Sequence, residues 1–173
     1  MRSIESELLT LEPQVAAHAD EMFEVLGDPA IYRYENEPPV SREWLRTRFT
    51  RLESRRSGNG SEQWLNWVIR LRDGTLAGYV QATVRPDESA AVAYVLASPY
   101  WGKGIGSAAV RAMIGELHAR YGVKVLDATL KRTNLPSQRL LERMGFELAA
   151  PVQHAEREID ADEILMLRDT ASM

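Results

Sequence analysis

The feature that most constrains the fold is an abrupt change of pattern at Ser98. Three extended segments precede it, residues 64–71, 76–84 and 90–97, and short turns join them. Connections of this length predict an antiparallel meander. Directly after the meander, the glycine-rich residues 99–107 lead into a helix whose apolar side chains form one stripe. The chain is therefore predicted to attach a strand-to-helix turn to an antiparallel sheet.

The flanking segments complete this prediction. An extended segment at residues 8–11 and two amphipathic helices, the second capped by Ser41, precede the meander. A strand at 123–130, a helix that starts at 134–137 and strands at 146–149 and 163–168 follow it. We therefore expect a single α+β domain over residues 1–173, with a mixed, mostly antiparallel central sheet and about four helices.

Composition excludes several classes of function. The 173 residues include no Cys and only three scattered His, which excludes disulfide scaffolds, thiolate zinc sites and cysteine nucleophiles and predicts no metal site. The net charge of −4 disfavours a nucleic-acid partner, because such binding depends on neutralising phosphates. No apolar run is long enough for a signal peptide or a membrane span. We expect a cytoplasmic protein without a membrane partner.

The glycine-rich turn is the main candidate for a binding site. Gly102, Gly104 and Gly106 lie between a strand and a helix, where unpaired backbone N–H groups and the helix dipole favour an anion. Glycine allows a phosphate to approach the backbone closely, and Lys103 adds a positive charge. The alternative is a tight turn that needs one glycine with positive φ. Three glycines at alternate positions favour the phosphate site.

A dinucleotide site is a second interpretation of the same loop. Residues 104–109 fit the pattern G-x-G-x-x-G/A, and Asp127 lies near the position of the acid that binds a ribose. That fold needs the strand before the loop to begin a series of βαβ units. Here the strand closes a meander, and Asp127 falls inside the next predicted strand. A dinucleotide-binding fold is therefore disfavoured.

A family resemblance implies which ligand the glycine-rich loop binds. The run Tyr-Trp-Gly-Lys-Gly-Ile-Gly at 100–106, Asn134-x-x-Ser137 and Glu-Arg-Met-Gly-Phe at 142–146 resemble the GNAT superfamily of acetyl-CoA-dependent N-acetyltransferases. The most similar branch includes the ribosomal-protein N-terminal acetyltransferases. The resemblance implies a sheet splayed between the fourth and fifth predicted strands. Trp101 departs from the family pattern, in which Arg or Gln is usual.

The resemblance also implies which residues bind acetyl-CoA. Backbone N–H groups of the loop would hold the diphosphate, the backbone of Val95 and Leu96 would pair with pantetheine, and Asn134 would hold the pantetheine arm. From spacing alone, Asn134 fits a helix N-cap nearly as well. The implied cofactor residues are Val95, Leu96, Trp101, Gly102, Lys103, Gly104, Ile105, Gly106, Ser107 and Asn134.

The catalytic residues are less clearly marked. Many family members use a Tyr as the acid at the position that Leu141 occupies here. In the branch that this chain resembles, the Ser three residues after the Asn is the candidate acid, which is Ser137. A hydroxyl that only satisfies the start of a helix is the alternative. Glu35 and Glu37, in the linker between the first two helices, are candidate bases, although such residues often belong to a solvated loop.

The expected function is direct acetyl transfer to a primary amine. Without a cysteine nucleophile, the amine would attack acetyl-CoA in a ternary complex. The acceptor is expected to be a peptide or protein N-terminus or a small amine, and a homodimer is left open. The alternative is a non-catalytic acyl-CoA-binding regulatory module, which the absence of the usual Tyr at Leu141 keeps open.

Overall fold

A single eight-stranded sheet organises the protein. The computed structural model describes residues 1–34 and 37–170. The strands are β1 Ile4–Glu5, β2 Leu9–Pro13, β3 Gln63–Leu71, β4 Leu76–Val84, β5 Ser89–Leu96, β6 Val125–Lys131, β7 Glu147–Leu148 and β8 Glu163–Asp169. The helices are α1 Ala19–Val25, α2 Arg42–Leu52, α3 Ile105–Tyr121, α4 Leu135–Arg143 and α5 Pro151–Glu156.

The strand order places one parallel pair inside an antiparallel sheet. The order is β1-β2-β3-β4-β5-β6-β8-β7, and every neighbouring pair is antiparallel except β5 and β6. β5 and β6 are in register only from Ser89 opposite Val125 to Ala91 opposite Asp127, and their later residues do not pair. The mixed α+β fold and the splay between the fourth and fifth predicted strands are confirmed. The dinucleotide fold is excluded, because β5 closes a meander.

Two apolar clusters pack on the sheet. The larger one contains α3, whose buried stripe of Val110, Met113 and Leu117 has the helical spacing visible in the sequence. The smaller cluster joins Met22 of α1 and Phe49 of α2 to residues of β3, β4 and β5. The helix α2 begins where predicted, since the Ser41 side chain accepts a hydrogen bond from the Trp44 N–H at 3.0 Å. The larger cluster therefore lies between the sheet and α3, and the smaller cluster lies between the sheet and the helices α1 and α2.

Short elements differ from the sequence prediction. Pro13 ends β2, and α1 begins only at Ala19 after a short 3₁₀ turn. β1 and α5 were not predicted, because two and six residues are too few to show a periodic pattern. The helix α5 is fastened to β8, where the Leu165 N–H donates to His154 Nε2 at 3.0 Å.

Acidic residues inside the fold have structural partners. Asp127 is almost fully buried and pairs with Arg85 at 2.6 Å and with Arg157 at 2.9 Å. The acid considered for a ribose is therefore held in ion pairs with two arginines.

Within residues 1–34 and 37–170, no three His, Asp or Glu side chains come together as a metal site. No helix over the same residues has the length and apolarity to cross a bilayer.

Candidate active site

The divergence of β5 and β6 opens a cleft of about 510 Å³. The end of β5, the glycine loop and the start of α4 form its walls. The cleft-lining residues that matter below are Tyr94, Val95, Leu96, Trp101, Gly102, Gly104, Gly106, Ser107, Asn134, Ser137, Arg139 and Arg143. All the predicted cofactor residues except Lys103 and Ile105 are therefore brought together here.

Lys103 and Ile105 lie in the loop but not in the cleft wall. The Lys103 side chain is exposed to solvent, and Ile105 packs against the larger apolar cluster. Their backbone N–H groups still belong to the turn before α3. Any contribution of these two residues to binding thus comes from the main chain or, for Lys103, from a solvated charge.

The glycines of the loop have two different roles. Gly102 and Gly104 adopt the left-handed conformation with φ of 70° and 78°, which other residues rarely adopt. Gly104 is the N-cap of the 17-residue helix α3, and no side chain caps that end. At Gly106, a Cβ atom would lie 3.1 Å from Leu140 Cδ1, so glycine permits close packing of α3 against α4. The turn therefore presents main-chain N–H groups and a helix dipole to the cleft.

The backbone of β5 faces the cleft at alternate residues. The Ala97 N–H donates to the Ala77 carbonyl at 2.9 Å, and hydrogen-bonding direction alternates along an antiparallel ladder. The polar backbone groups of Tyr94 and Leu96 therefore point into the gap between β5 and β6, whereas those of Val95 point to β4. The Leu96 carbonyl accepts a hydrogen bond from Trp101 Nε1 at 2.6 Å. Trp101 thus fastens the loop to the strand.

Ser137 is paired with a residue that the sequence analysis did not single out. The Tyr94 and Ser137 hydroxyl oxygens are 2.6 Å apart, and the Tyr94 hydroxyl lies 3.2 Å from the Ser137 carbonyl oxygen. Both side chains line the cleft. Leu141, at the position of the usual acid, is buried in the core. The sequence signal that could have indicated Tyr94 is its position two residues before Leu96, because side chains at this spacing on a strand lie on the same face.

Asn134 caps the helix that carries Ser137. Its Oδ1 accepts a hydrogen bond from the Ser137 N–H at 3.2 Å, and the residue also lines the cleft. The geometry of an N-cap is therefore present. The same residue faces the space where the resemblance expects pantetheine.

A second cavity of about 290 Å³ adjoins the cleft. Ile31 and Val95 line both spaces, so these two buried side chains lie between them. Glu37 lines the second cavity together with residues of α2, β3 and β4. Glu35, the other candidate base, lies outside the described residues.

Asp28 connects the two sides of the site. Its carboxylate accepts hydrogen bonds from the Ser98 N–H at 2.6 Å and the Ala30 N–H at 2.9 Å. Burial favours a higher pKa for Asp28, but these hydrogen bonds outweigh it and hold the pKa below its ordinary value. The segment after α1 is thereby tied to the start of the glycine loop.

Splayed parallel strands beside a glycine-rich turn at a helix N-terminus give this protein a cleft that could hold an elongated anionic ligand. A family model described as "Acetyltransferase (GNAT) domain" matches residues 9–147. The chain belongs to this family, which confirms the resemblance, and it is an acetyltransferase.

Similar proteins agree with this assignment. The L-2,4-diaminobutyric acid acetyltransferase of Streptomyces avermitilis is 27% identical over 153 residues, which cover 79% of this chain and 85% of that protein. The ribosomal L7/L12 alpha-N-protein acetyltransferase RimL, solved with coenzyme A, superposes with a TM-score of 0.80 at 18% identity, covering 96% of this chain and 97% of RimL. The microcin C7 self-immunity acetyltransferase MccE, solved with acetyl-CoA and AMP, superposes with a TM-score of 0.77 at 20% identity, covering 95% of this chain and 93% of MccE. The expected ribosomal-protein branch is thus represented among proteins of this fold.

Proposed function

We propose that the protein transfers an acetyl group from acetyl-CoA directly to a primary amine. The observation that supports this proposal is that two cavities lie on either side of Ile31 and Val95. One is lined by the glycine loop, Leu96 and Ser137, and the other by α2 and the segment after α1. Donor and acceptor would enter from these two sides, and the amine would reach the thioester beside Val95.

The cofactor would bind mainly through the main chain. The N–H groups before α3 would hold the diphosphate, the backbone groups of Tyr94 would pair with pantetheine, and the N–H of Leu96, whose carbonyl is bound to Trp101, would face the thioester. The expected pairing with Val95 moves to these neighbours, because the Val95 backbone is directed to β4. Arg139 and Arg143 line the cleft and would add positive charge near the phosphates.

The reaction would pass through a tetrahedral intermediate. The neutral amine attacks the thioester carbonyl carbon, and the Leu96 N–H stabilises the oxyanion; one such donor contributes about 10²–10³ in rate. The C–S bond then breaks, and the thiolate takes a proton from Ser137. A serine hydroxyl alone is a weak acid, whereas a phenol with a pKa near 10 is closer to a thiol near 8.5. Tyr94 would therefore donate its proton to Ser137, and solvent would restore it.

The amine must lose protons before and after the attack. An α-amine with a pKa near 7.7–8.0 is partly neutral at physiological pH and needs little help. Glu37 lines the acceptor cavity and would take a proton through water, and Glu35 is proposed on sequence grounds alone. Positioning of the amine would provide much of the remaining rate.

A non-catalytic acyl-CoA-binding module is the second candidate. Burial of Leu141 supports it, because the usual acid cannot be supplied from that position. The pair of Tyr94 and Ser137 argues against it, since a hydroxyl network faces the same cleft from α4 and β5.

Release of free thiol tests the proposal. The purified protein is incubated with acetyl-CoA and a panel of peptides, amino acids and small amines, and free thiol is followed with time. Release that depends on an acceptor is the expected result. Calorimetric binding of acetyl-CoA without acceptor-dependent release would favour the module, and absence of binding would contradict both candidates.

A further inference from the structure

Two buried apolar side chains lie between the cleft and the second cavity. Ile31 is only 4% exposed and Val95 only 7%, and each of them lines both spaces. Both belong to the smaller apolar cluster. We call these two side chains the apolar barrier. Because each of them lines both spaces, the barrier is only one side chain thick.

The apolar barrier faces α1 and α2, on the opposite side of the sheet from α3. Successive side chains of a strand point to opposite faces. Tyr94 and Leu96 pack against the larger apolar cluster, whereas Val95 packs into the smaller one. The gap between β5 and β6 joins the two faces, because the later residues of these strands do not pair. An acyl chain that passes through this gap is therefore directed to the barrier.

Hydrogen bonds hold both parts of the barrier in place. The backbone of Val95 belongs to the antiparallel ladder with β4. Ile31 begins a short 3₁₀ turn, and its N–H donates to the Asp28 carbonyl at 3.2 Å. The Asp28 carboxylate in turn accepts a hydrogen bond from the Ser98 N–H. Displacement of either side chain would therefore require that strand pairing or these hydrogen bonds be broken.

The chemistry of the barrier favours selection by volume. Its side chains are hydrocarbon and offer no polar group that could distinguish one acyl chain from another. An acetyl group ends in a methyl group, whereas propionyl and butyryl groups continue with further methylene groups. Protein interiors are close-packed, and methylene groups forced into a packed cluster weaken binding by about tenfold. A rigid apolar barrier at the end of the acetyl group therefore disfavours longer chains.

We infer that Ile31 and Val95 restrict the donor to acetyl-CoA, because they fill the space that a longer acyl chain would occupy. This inference rests on the proposed function and names the residues that select its acyl group. The methyl of the acetyl group would contact the barrier, and the acceptor amine would reach the carbonyl carbon beside it. Shortening either side chain would connect the cleft with the second cavity and admit a longer acyl group.

Replacement of Ile31 by Ala tests the inference. The variant removes more side-chain carbons than a butyryl group adds to an acetyl group, and it leaves an apolar surface. We measure the Kd values of acetyl-CoA and butyryl-CoA by calorimetry, together with kcat/KM for each donor. The wild type should bind butyryl-CoA about tenfold more weakly than acetyl-CoA. In Ile31→Ala the ratio of the two Kd values should fall about tenfold, since each buried methylene group contributes about fourfold in affinity.

Two further variants make the test specific. Val95→Ala shortens the other half of the barrier and should favour propionyl-CoA over acetyl-CoA by about fourfold relative to the wild type, which serves if Ile31→Ala does not fold. Ile164→Ala is the matched control. Ile164 is also 4% exposed, but it lies on β8 in the larger cluster and lines neither cavity. This control should lower Tm about as much as Ile31→Ala and leave the ratio of Kd values unchanged.

Several results would overturn the inference. One is a wild-type protein that binds butyryl-CoA as tightly as acetyl-CoA. Another is a folded Ile31→Ala or Val95→Ala protein with the same ratio of Kd values as the wild type. An equal change in Ile164→Ala would also contradict it, because the effect would then follow from lost stability. If the ratio changes as expected but no acyl-CoA releases thiol with any acceptor, the inference holds for binding and the proposed function fails.

Discussion

The two sides of the active site are built from different parts of the chain. Apart from Ile31 and Tyr34, the residues that line the cofactor side fall within 94–143, and they include the glycine turn before α3, which offers main-chain N–H groups. The acceptor side combines Gln14, Asn66 and Gln81 with α2 and Val95, and it depends on side chains that meet only through strand register. A site made of backbone leaves a local pattern in the sequence, whereas a site made by register does not.

The difference also affects how each side responds to substitution. Main-chain donors persist when side chains change, provided that the turn keeps its conformation. This explains how Trp101 can replace the usual Arg or Gln, since its indole hydrogen-bonds to the Leu96 carbonyl and fastens the loop. On the side where we propose that the acceptor binds, side chains line the cavity, so single substitutions there should alter specificity.

The largest effect is expected at the junction of the two sides. Ser137→Ala should lower kcat by about 10²-fold through loss of the acid, while the Kd for CoA stays within a few-fold. Tyr94→Phe should lower kcat by about tenfold. The double variant should be no slower than Ser137→Ala, because the two hydroxyls act in series.

Steady-state kinetics and CoA titration of the three variants check this prediction. Tyr121→Phe, on α3 and outside the cleft, is the control and should match the wild type. An unchanged rate for Ser137→Ala would remove this residue from the mechanism. Fully additive losses would instead show that Tyr94 acts independently of Ser137.

A change in the loop should affect only the cofactor side. Gly104→Val forces a β-branched residue into φ near 78° and should weaken CoA binding about tenfold or more, with binding of the acceptor amine nearly unaffected. Gly115→Ala is the control within the same helix, where a Cβ atom meets nothing within 4 Å.

Gly115→Ala should raise the free energy of unfolding by about 1 kcal/mol and leave the Kd for CoA unchanged. Calorimetry with CoA and thermal unfolding check both variants. Equal CoA affinity of Gly104→Val and the wild type would contradict an anion site formed by the backbone of this turn.

The smallest expected effect concerns the connection between the sides. Asp28→Ala removes hydrogen bonds to Ser98 and Ala30 and should lower the free energy of unfolding by about 1 kcal/mol at neutral pH. Because the pKa of Asp28 is lowered, its stabilising effect is complete above the ordinary carboxyl value of 3.8 and is lost as pH falls through the lower folded-state pKa.

The free energy of unfolding, measured in urea as a function of pH, therefore distinguishes the wild type from Asp28→Ala. The difference between wild type and Asp28→Ala should be constant at neutral pH and should shrink only below about pH 4. A difference that persists unchanged in strong acid would show that Asp28 acts by packing and not through its charge.

Much of the fold could be predicted because its signals are local. The meander, the glycine loop and the apolar stripe of α3 each follow from residues close together in the chain, and the structure has them where expected. β1 and α5 were missed because they are too short to show a period. The first strand runs two residues beyond the predicted segment 8–11, because pairing with β3 extends as far as Pro13 opposite Trp67.

The candidate site divides in the same way. The loop and Ser137 could be found from motif spacing, but the contact between the Tyr94 and Ser137 hydroxyls spans 43 positions along the chain. Gln14 and Gln81 are farther apart still and showed no periodicity of their own. Nothing in the sequence indicated that Gln14 would be buried beside the second cavity.

The amino-acid sequence alone determined the order of the longer elements, the glycine-rich turn and the family, because glycine conformation and side-chain period act over a few residues. Tertiary structure alone decided where β5 and β6 part, which hydroxyl hydrogen-bonds to Ser137 and which side chains line the second cavity. These depend on strand register, and a shift of one residue would turn every one of those side chains to the opposite face.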